Sequence, residues 1–447
     1  MFAIRKEKTA IFIFWLIYAA LSFYFWKERN TYADNSYYLF NMLQKENFSF
    51  EHLRFIAAAW QWPTVLAVKL QLPLKAVMLS AVAGVYLWHL LLFIAIRVLS
   101  TEKWLSYIFL LFLIATIHDA FYYMQTELLN GCGLVLLLVA VVRNVTISRP
   151  LQYGSIALIL CLLICTHLFA LLIALMAMGI YFLLQPDKQR FIYVLMTIIA
   201  LALKMWVVKD GYDNNSMQVF DYRVITLRNL HSSFYAKAFQ HYCRLYWPAI
   251  AFMWIVWWIH PKKWWVTVAV VAGVAGLYVL LVVYLRNGSF PTYIDLYTVT
   301  FFTFCWAVVG LLVTSDVMNR HRFMPLLLVM ILLQSFVRLF SEDSYTKRVG
   351  WLDNSMQQPF SKMYLPLESA PAGFQMDSWS VPYETLLLSS LKGESKTILL
   401  TEPKYPAADF LQDSTLFLGA GWRFGDTTTL HPAYFRLAPF RYQPLQP

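Results

Sequence analysis

The sequence predicts an all-α polytopic membrane protein with about eleven transmembrane helices, its N-terminus in the cytoplasm and its C-terminus outside. Amphipathic surface helices fill the first outer loop, and a small extracytoplasmic α/β or irregular unit ends the chain. Three observations lead there. Of 447 residues, 60% are hydrophobic and only 14% charged, whereas soluble domains run at about 45–50% apolar and about 25% charged. Apolar runs recur along the chain with short basic connections between them. The 17 Trp, 27 Tyr and 34 Phe suit helices that meet lipid and bilayer interfaces.

The first run, 10–26, follows Arg5, Lys6 and Lys8. It is long and ends in Ser22-Phe23-Tyr24-Phe25-Trp26, too bulky for a cleavage site, so it reads as an uncleaved first span. Further spans are expected at 77–99, 104–117, 127–143, 154–166, 168–185, 190–208, 246–260, 264–286, 296–315 and 323–341. The positive-inside rule orders them. Arg5/Lys6/Lys8, Lys103, Arg143/Arg149, Lys188/Arg190, Lys262/Lys263 and Arg320/Arg322 fall on one side, in short segments. The longer pieces, 27–76, 209–245 and 342–447, fall on the other. The net charge of +11 therefore sets topology and does not point to nucleic acid. Cys132, Cys161, Cys165, Cys243 and Cys305 show no zinc or disulfide spacing and read as small hydrophobes.

Two units follow: a transmembrane unit over 1–341 and an extracytoplasmic unit over 342–447. In the second, 396–401 and 414–418 read as strands and 378–391 as a helix. No phosphate loop, Ser elbow or metal-binding helix is present. Ser80-x-x-x-Gly84 and Ala272-x-x-x-Gly276 suit close helix packing.

Chemistry is expected where polar residues gather on the outer side. Asp34 stands eight residues past Trp26, where the chain leaves the membrane, and also reads as the N-cap of a surface helix. His118, Asp119 and Glu127 frame an aromatic corner, Ala120–Thr126. Glu127 opens an apolar span, where the helix dipole favours a carboxylate and where an ionisable group tends to face a cavity. His167 sits at a hairpin tip, as a solvated corner or as part of a site. Arg223, Arg228, Arg244, Arg286, Tyr293 and Arg338 lie on the outer side against the topological trend. Headgroup anchoring is one reason for that, and a bound phosphoryl anion is the other.

This order of parts, with the hairpin Leu162-Leu163-Ile164-Cys165-Thr166-His167-Leu168-Phe169-Ala170-Leu171-Leu172, resembles the membrane glycosyltransferases of the GT-C fold. It is most similar to bacterial enzymes that use polyprenyl-phosphate-linked sugars, which implies an inner-membrane location. The paired acids of that family's first outer loop are here Asp34-Asn35, one acid and an amide. The resemblance implies transfer of a sugar from a polyprenyl-phosphate donor to a glycan, lipid or protein hydroxyl. Asp34 would take the acceptor proton. Asp119 and Glu127 would orient the reactants, and the basic residues with His118, His167 and Tyr293 would hold the substrate and its leaving phosphate. Membrane lipids are the other expected contact. No motif demands a metal, and use of a divalent cation stays open. An envelope polysaccharide polymerase or ligase, and a non-catalytic scaffold or transporter, are the alternatives.

Overall fold

The computed structural model describes residues 2–115, 121–184, 186–208, 291–312, 344–371, 378–402, 408–419 and 425–445, with Gly273, Val329 and Leu333. Among these residues the chain is mostly helical, with fourteen α-helices and one small parallel sheet. Elements are numbered over the described residues.

The helix α1 (Phe2–Tyr24) is followed at once by the short α2 (Trp26–Thr31) and by α3 (Asp34–Lys45). A single 3₁₀ turn, Phe55–Ala57, leads into α4 (Ala58–Lys69). Then come α5 (Leu74–Leu99), α6 (Leu105–Ala115), α7 (Glu127–Val142), α8 (Arg149–Ile164), α9 (Leu168–Leu184) and α10 (Lys188–Trp206). The helix α11 (Pro291–Leu312) packs on α7 and α9. Every residue of α7 is buried, which makes it the axis of the bundle. Glycines allow its close contacts: a Cβ at Gly131 would come 3.0 Å from Thr166 Oγ1, and one at Gly133 would come 2.9 Å from Leu92.

Eight of the eleven expected spans coincide with described helices, while 246–260, 264–286 and 323–341 lie almost wholly outside the described residues. The count of eleven is not supported. Among the described residues, only α5 and α10 are long and apolar enough to cross a membrane, and the apolar stretches of the other helices run to 10–17 residues. Geometry gives the reason. The 16 residues of α7 rise roughly 24 Å at about 1.5 Å each, against a hydrocarbon core of roughly 30 Å.

The hairpin α4–α5 also differs from a helix lying flat on a surface. A tight turn with Gln71 at φ 50° reverses the chain, and Leu72 N donates to the Ala67 carbonyl at 3.0 Å. The helix α4 then runs back along α5, so that a Cβ on Gly84 would stand 2.1 Å from the Trp60 carbonyl oxygen. The amphipathic α3 is no surface helix either. Leu39, Phe40, Met42 and Leu43 are buried in a core shared with Tyr383, Phe417 and Phe435 of the C-terminal residues.

The C-terminal residues form α12 (Ser344–Ser355), β1 (Lys362–Pro366), α13 (Val381–Ser390), β2 (Thr397–Thr401), α14 (Ala408–Gln412) and β3 (Gln443–Pro444). The strands pair in parallel in the order β2-β1-β3, and α13 packs on β2 as the crossover between β1 and β2. Within the expected helix 378–391, Ser378–Ser380 is a 3₁₀ turn and α13 supplies the rest. The strand at 396–401 is present as β2, but 414–418 is not a strand; Leu416 makes one isolated antiparallel bridge to Asp426. The carbonyls of Ser414 and Leu416 instead accept from the buried Lys362 Nζ at 2.8 and 2.6 Å.

Candidate functional site

The site forms where α3, the 51–57 segment and the N-terminus of α7 meet. Asp34 is the first residue of α3, one place beyond its expected cap. Ala33 holds the N-cap position at φ 37°, without a side-chain cap. The Asp34 carboxylate, half-buried, accepts a hydrogen bond from the Tyr123 hydroxyl of the aromatic corner.

Asn35 fixes that corner. Its amide nitrogen donates to the carbonyls of Arg29 and Tyr122, both at 2.6 Å, and its oxygen accepts from Gln125 N at 3.0 Å. Gln125 Oε1 accepts from the Trp60 indole at 2.9 Å, which ties α4 to the same loop. Tyr345 of α12 closes the aromatic wall, its ring centroid 4.3 Å from that of Tyr32 and 5.9 Å from that of Tyr122.

Glu127 begins α7, where Thr126 Oγ1 caps the helix by accepting from Leu128 N at 3.3 Å. Helix start and site coincide here. Glu127 is only 3% exposed, and a carboxylate buried that far needs partners. Tyr38 donates its hydroxyl to Glu127 Oε1 at 3.0 Å, and Arg54 Nη1 reaches Oε2 at 3.3 Å. Tyr38 lies one turn along α3 from Asp34, and its phenol is held well above the ordinary value, first by burial and then by the negative charges of Glu127 and Asp34, with Arg54 opposing.

A strained turn aims Arg54. Arg54 N donates to the Glu51 carbonyl at 3.0 Å, and the two residues between, His52 and Leu53, have φ 56° and 58°. That is the pattern of a type I′ turn, which favours Asn and Gly. Two ordinary side chains in the left-handed region cost about 1–2 kcal/mol each.

His167 stands at the α8–α9 corner beside this turn, since Ile56 N donates to the Cys165 carbonyl at 3.5 Å. Its Nδ1 accepts from Phe169 N at 3.3 Å, which leaves the ring proton on Nε2. Burial, followed by the charges of Arg54, Lys204 and His52, holds the imidazole well below its ordinary pKa. Lys204, 2% exposed in the last turn of α10, completes the surroundings.

Of the expected site residues, Asp34 and Glu127 thus both act on Tyr38, Glu127 through a hydrogen bond as well, and His167 stands near Arg54. His118, Asp119, Arg223, Arg228, Arg244, Arg286 and Arg338 lie outside the described residues, as does the side chain of Tyr293 on α11. Sequence reasoning missed Tyr38, Tyr123 and Arg54. The charged pair Glu51 and Arg54, set between Phe50 and Phe55, was the one available signal. Among the described residues, no group of three or more His, Cys, Asp or Glu could hold a metal ion.

Chemically, the two carboxylates are unequal. Glu127 is buried against Arg54 and Tyr38, while Asp34 is half-open at the start of α3. No family model, no curated protein and no solved structure matches this chain.

Proposed function

We propose that this chain is a multi-pass membrane glycosyltransferase of the GT-C type, seated in a bacterial inner membrane. It takes a sugar from a polyprenyl phosphate and passes it to a hydroxyl of a glycan, lipid or protein on the extracytoplasmic face. One observation supports this above the others: Asp34 and Glu127, 93 positions apart in the sequence, both raise the buried phenol of Tyr38, which donates to Glu127, and Arg54 stands against Glu127.

In this reading the acceptor oxygen attacks the anomeric carbon as the carbon–oxygen bond to phosphate breaks, with inversion. The bonding pair leaves with the phosphate, and the acceptor proton goes to Asp34. Tyr123 holds Asp34 in place. Glu127 and Asp119 orient the reactants. His167 lines the site, and Arg223, Arg228, Arg244, Arg286 and Arg338, with His118 and Tyr293, receive the phosphoryl group. Residues 342–447 form the extracytoplasmic unit that backs the site.

The test is Asp34→Asn. Turnover of a polyprenyl-phosphate-sugar donor should fall at least about a hundredfold, as loss of a general base requires, with the melting temperature unchanged. Near-normal turnover removes Asp34 from the reaction. A non-catalytic scaffold is favoured by one observation, that Glu127 already has Arg54 and Tyr38 as partners. Mass spectrometry of co-purifying lipids separates the two, because a scaffold retains no polyprenyl phosphate.

A further inference from the structure

The helix α4 carries two faces of opposite use. Trp60, Gln61, Thr64, Val65 and Val68 are buried. Trp62 and Leu66, four residues apart, are 49% and 50% exposed, and Phe55 just before the helix is 48% exposed. No charged residue occurs between Arg54 and Lys69. Surfaces facing water seldom leave such a strip bare.

The strip continues a face that is itself apolar. The hydrogen bond from Ile56 N to the Cys165 carbonyl sets Phe55 beside the end of α8, whose Leu158 is 63% exposed. Along α5, which is long and apolar enough to cross a membrane, Leu87, Leu91 and Ile94 are 39%, 58% and 46% exposed. Trp60 sits against Gly84 and 6.0 Å from the Trp88 ring. The Phe55–Trp62 end of the strip therefore stands beside the middle of α5, while the Lys69 end rises towards the turn.

We propose that Phe55 and Trp62 rest against lipid chains inside the bilayer, at the depth of the middle of α5. Leu53, 37% exposed, joins them, while Arg54 between Leu53 and Phe55 turns inward to Glu127. This placement rests on the membrane reading given above but not on its chemistry.

The test places the photocrosslinker p-benzoylphenylalanine singly at Phe55, Trp62, Leu91 or Phe440. Phe440 is a 63% exposed residue of the C-terminal unit. Each full-length variant is reconstituted in vesicles of phosphatidylethanolamine and phosphatidylglycerol, irradiated, and analysed by mass spectrometry. Phospholipid adducts should form at Phe55 and Trp62 as readily as at Leu91, and at least about fivefold more than at Phe440, as burial of apolar surface in lipid requires. Adducts at Leu91 with none at Phe55 and Trp62, or crosslinks there only to a second copy or another protein, overturn the proposal. Absence of lipid adducts at Leu91 as well overturns the membrane reading and the proposal with it.

Discussion

The Tyr38 hydroxyl donates to Glu127 across 89 positions of sequence, and the distance is 3.0 Å. With Arg54 on the other carboxylate oxygen, this contact binds three separate segments into one polar knot inside an apolar bundle. Such knots fail asymmetrically. Removing one member leaves a buried charge alone, whereas replacing both members by apolar groups is mild.

Arg54→Met should therefore destabilise the fold by about 3–5 kcal/mol. The double variant Arg54→Met with Glu127→Leu should recover most of that. Thermal denaturation in detergent measures both. Additive losses in the double variant would show that the pair is not coupled.

His167 gives a pH dependence. Its folded pKa is depressed, so the fold favours the neutral ring. The unfolded chain takes up its proton below about pH 6.5. Stability is therefore full above that point and falls as the pH drops through it towards the folded value. Melting temperatures from pH 8 to pH 5 should decline, and His167→Gln should decline less steeply.

A second buried pair holds the C-terminal unit. Arg348 Nη2 and Nε donate to the two oxygens of Glu384 at 2.8 and 3.1 Å, with Arg348 only 4% exposed and Glu384 fully buried. Glu384→Gln should cost about 3 kcal/mol and speed proteolytic cleavage around Ser344–Ser355, as read by timed digestion.

Gly84→Ala tests the α4–α5 hairpin. The added methyl would meet the Trp60 backbone at 2.1 Å, so the helices must separate. A loss of about 1–3 kcal/mol is expected, while Gly154→Ala, with open space around it, should be neutral. Equal melting temperatures for both would mean that the helices do not touch there.

Much of the fold was legible because apolar runs announce helices directly. Glu127 was legible too, as the single acid opening such a run. Arg54 was not, since it lies in a segment expected to rest on a surface and only the bundle buries it. Tyr123 was hidden among equally aromatic neighbours. The capping alternative for Asp34 fell one residue off, because Ala33 takes that position without a side-chain cap. The face of α3 was plain from its pattern, but amphipathicity does not say what covers it, and Tyr383 and Phe417 do so here. The strand β3 is only two residues long, and β1 has a lysine and a proline among its five residues, where β2 is a continuous apolar run between threonines.

The two left-handed residues at His52 and Leu53 also make chain length critical at this point. They send one side chain outward and the next one inward. Deleting a single residue from this turn would exchange grease for guanidinium at each surface, so shortening it by one should do more harm than any point substitution within it.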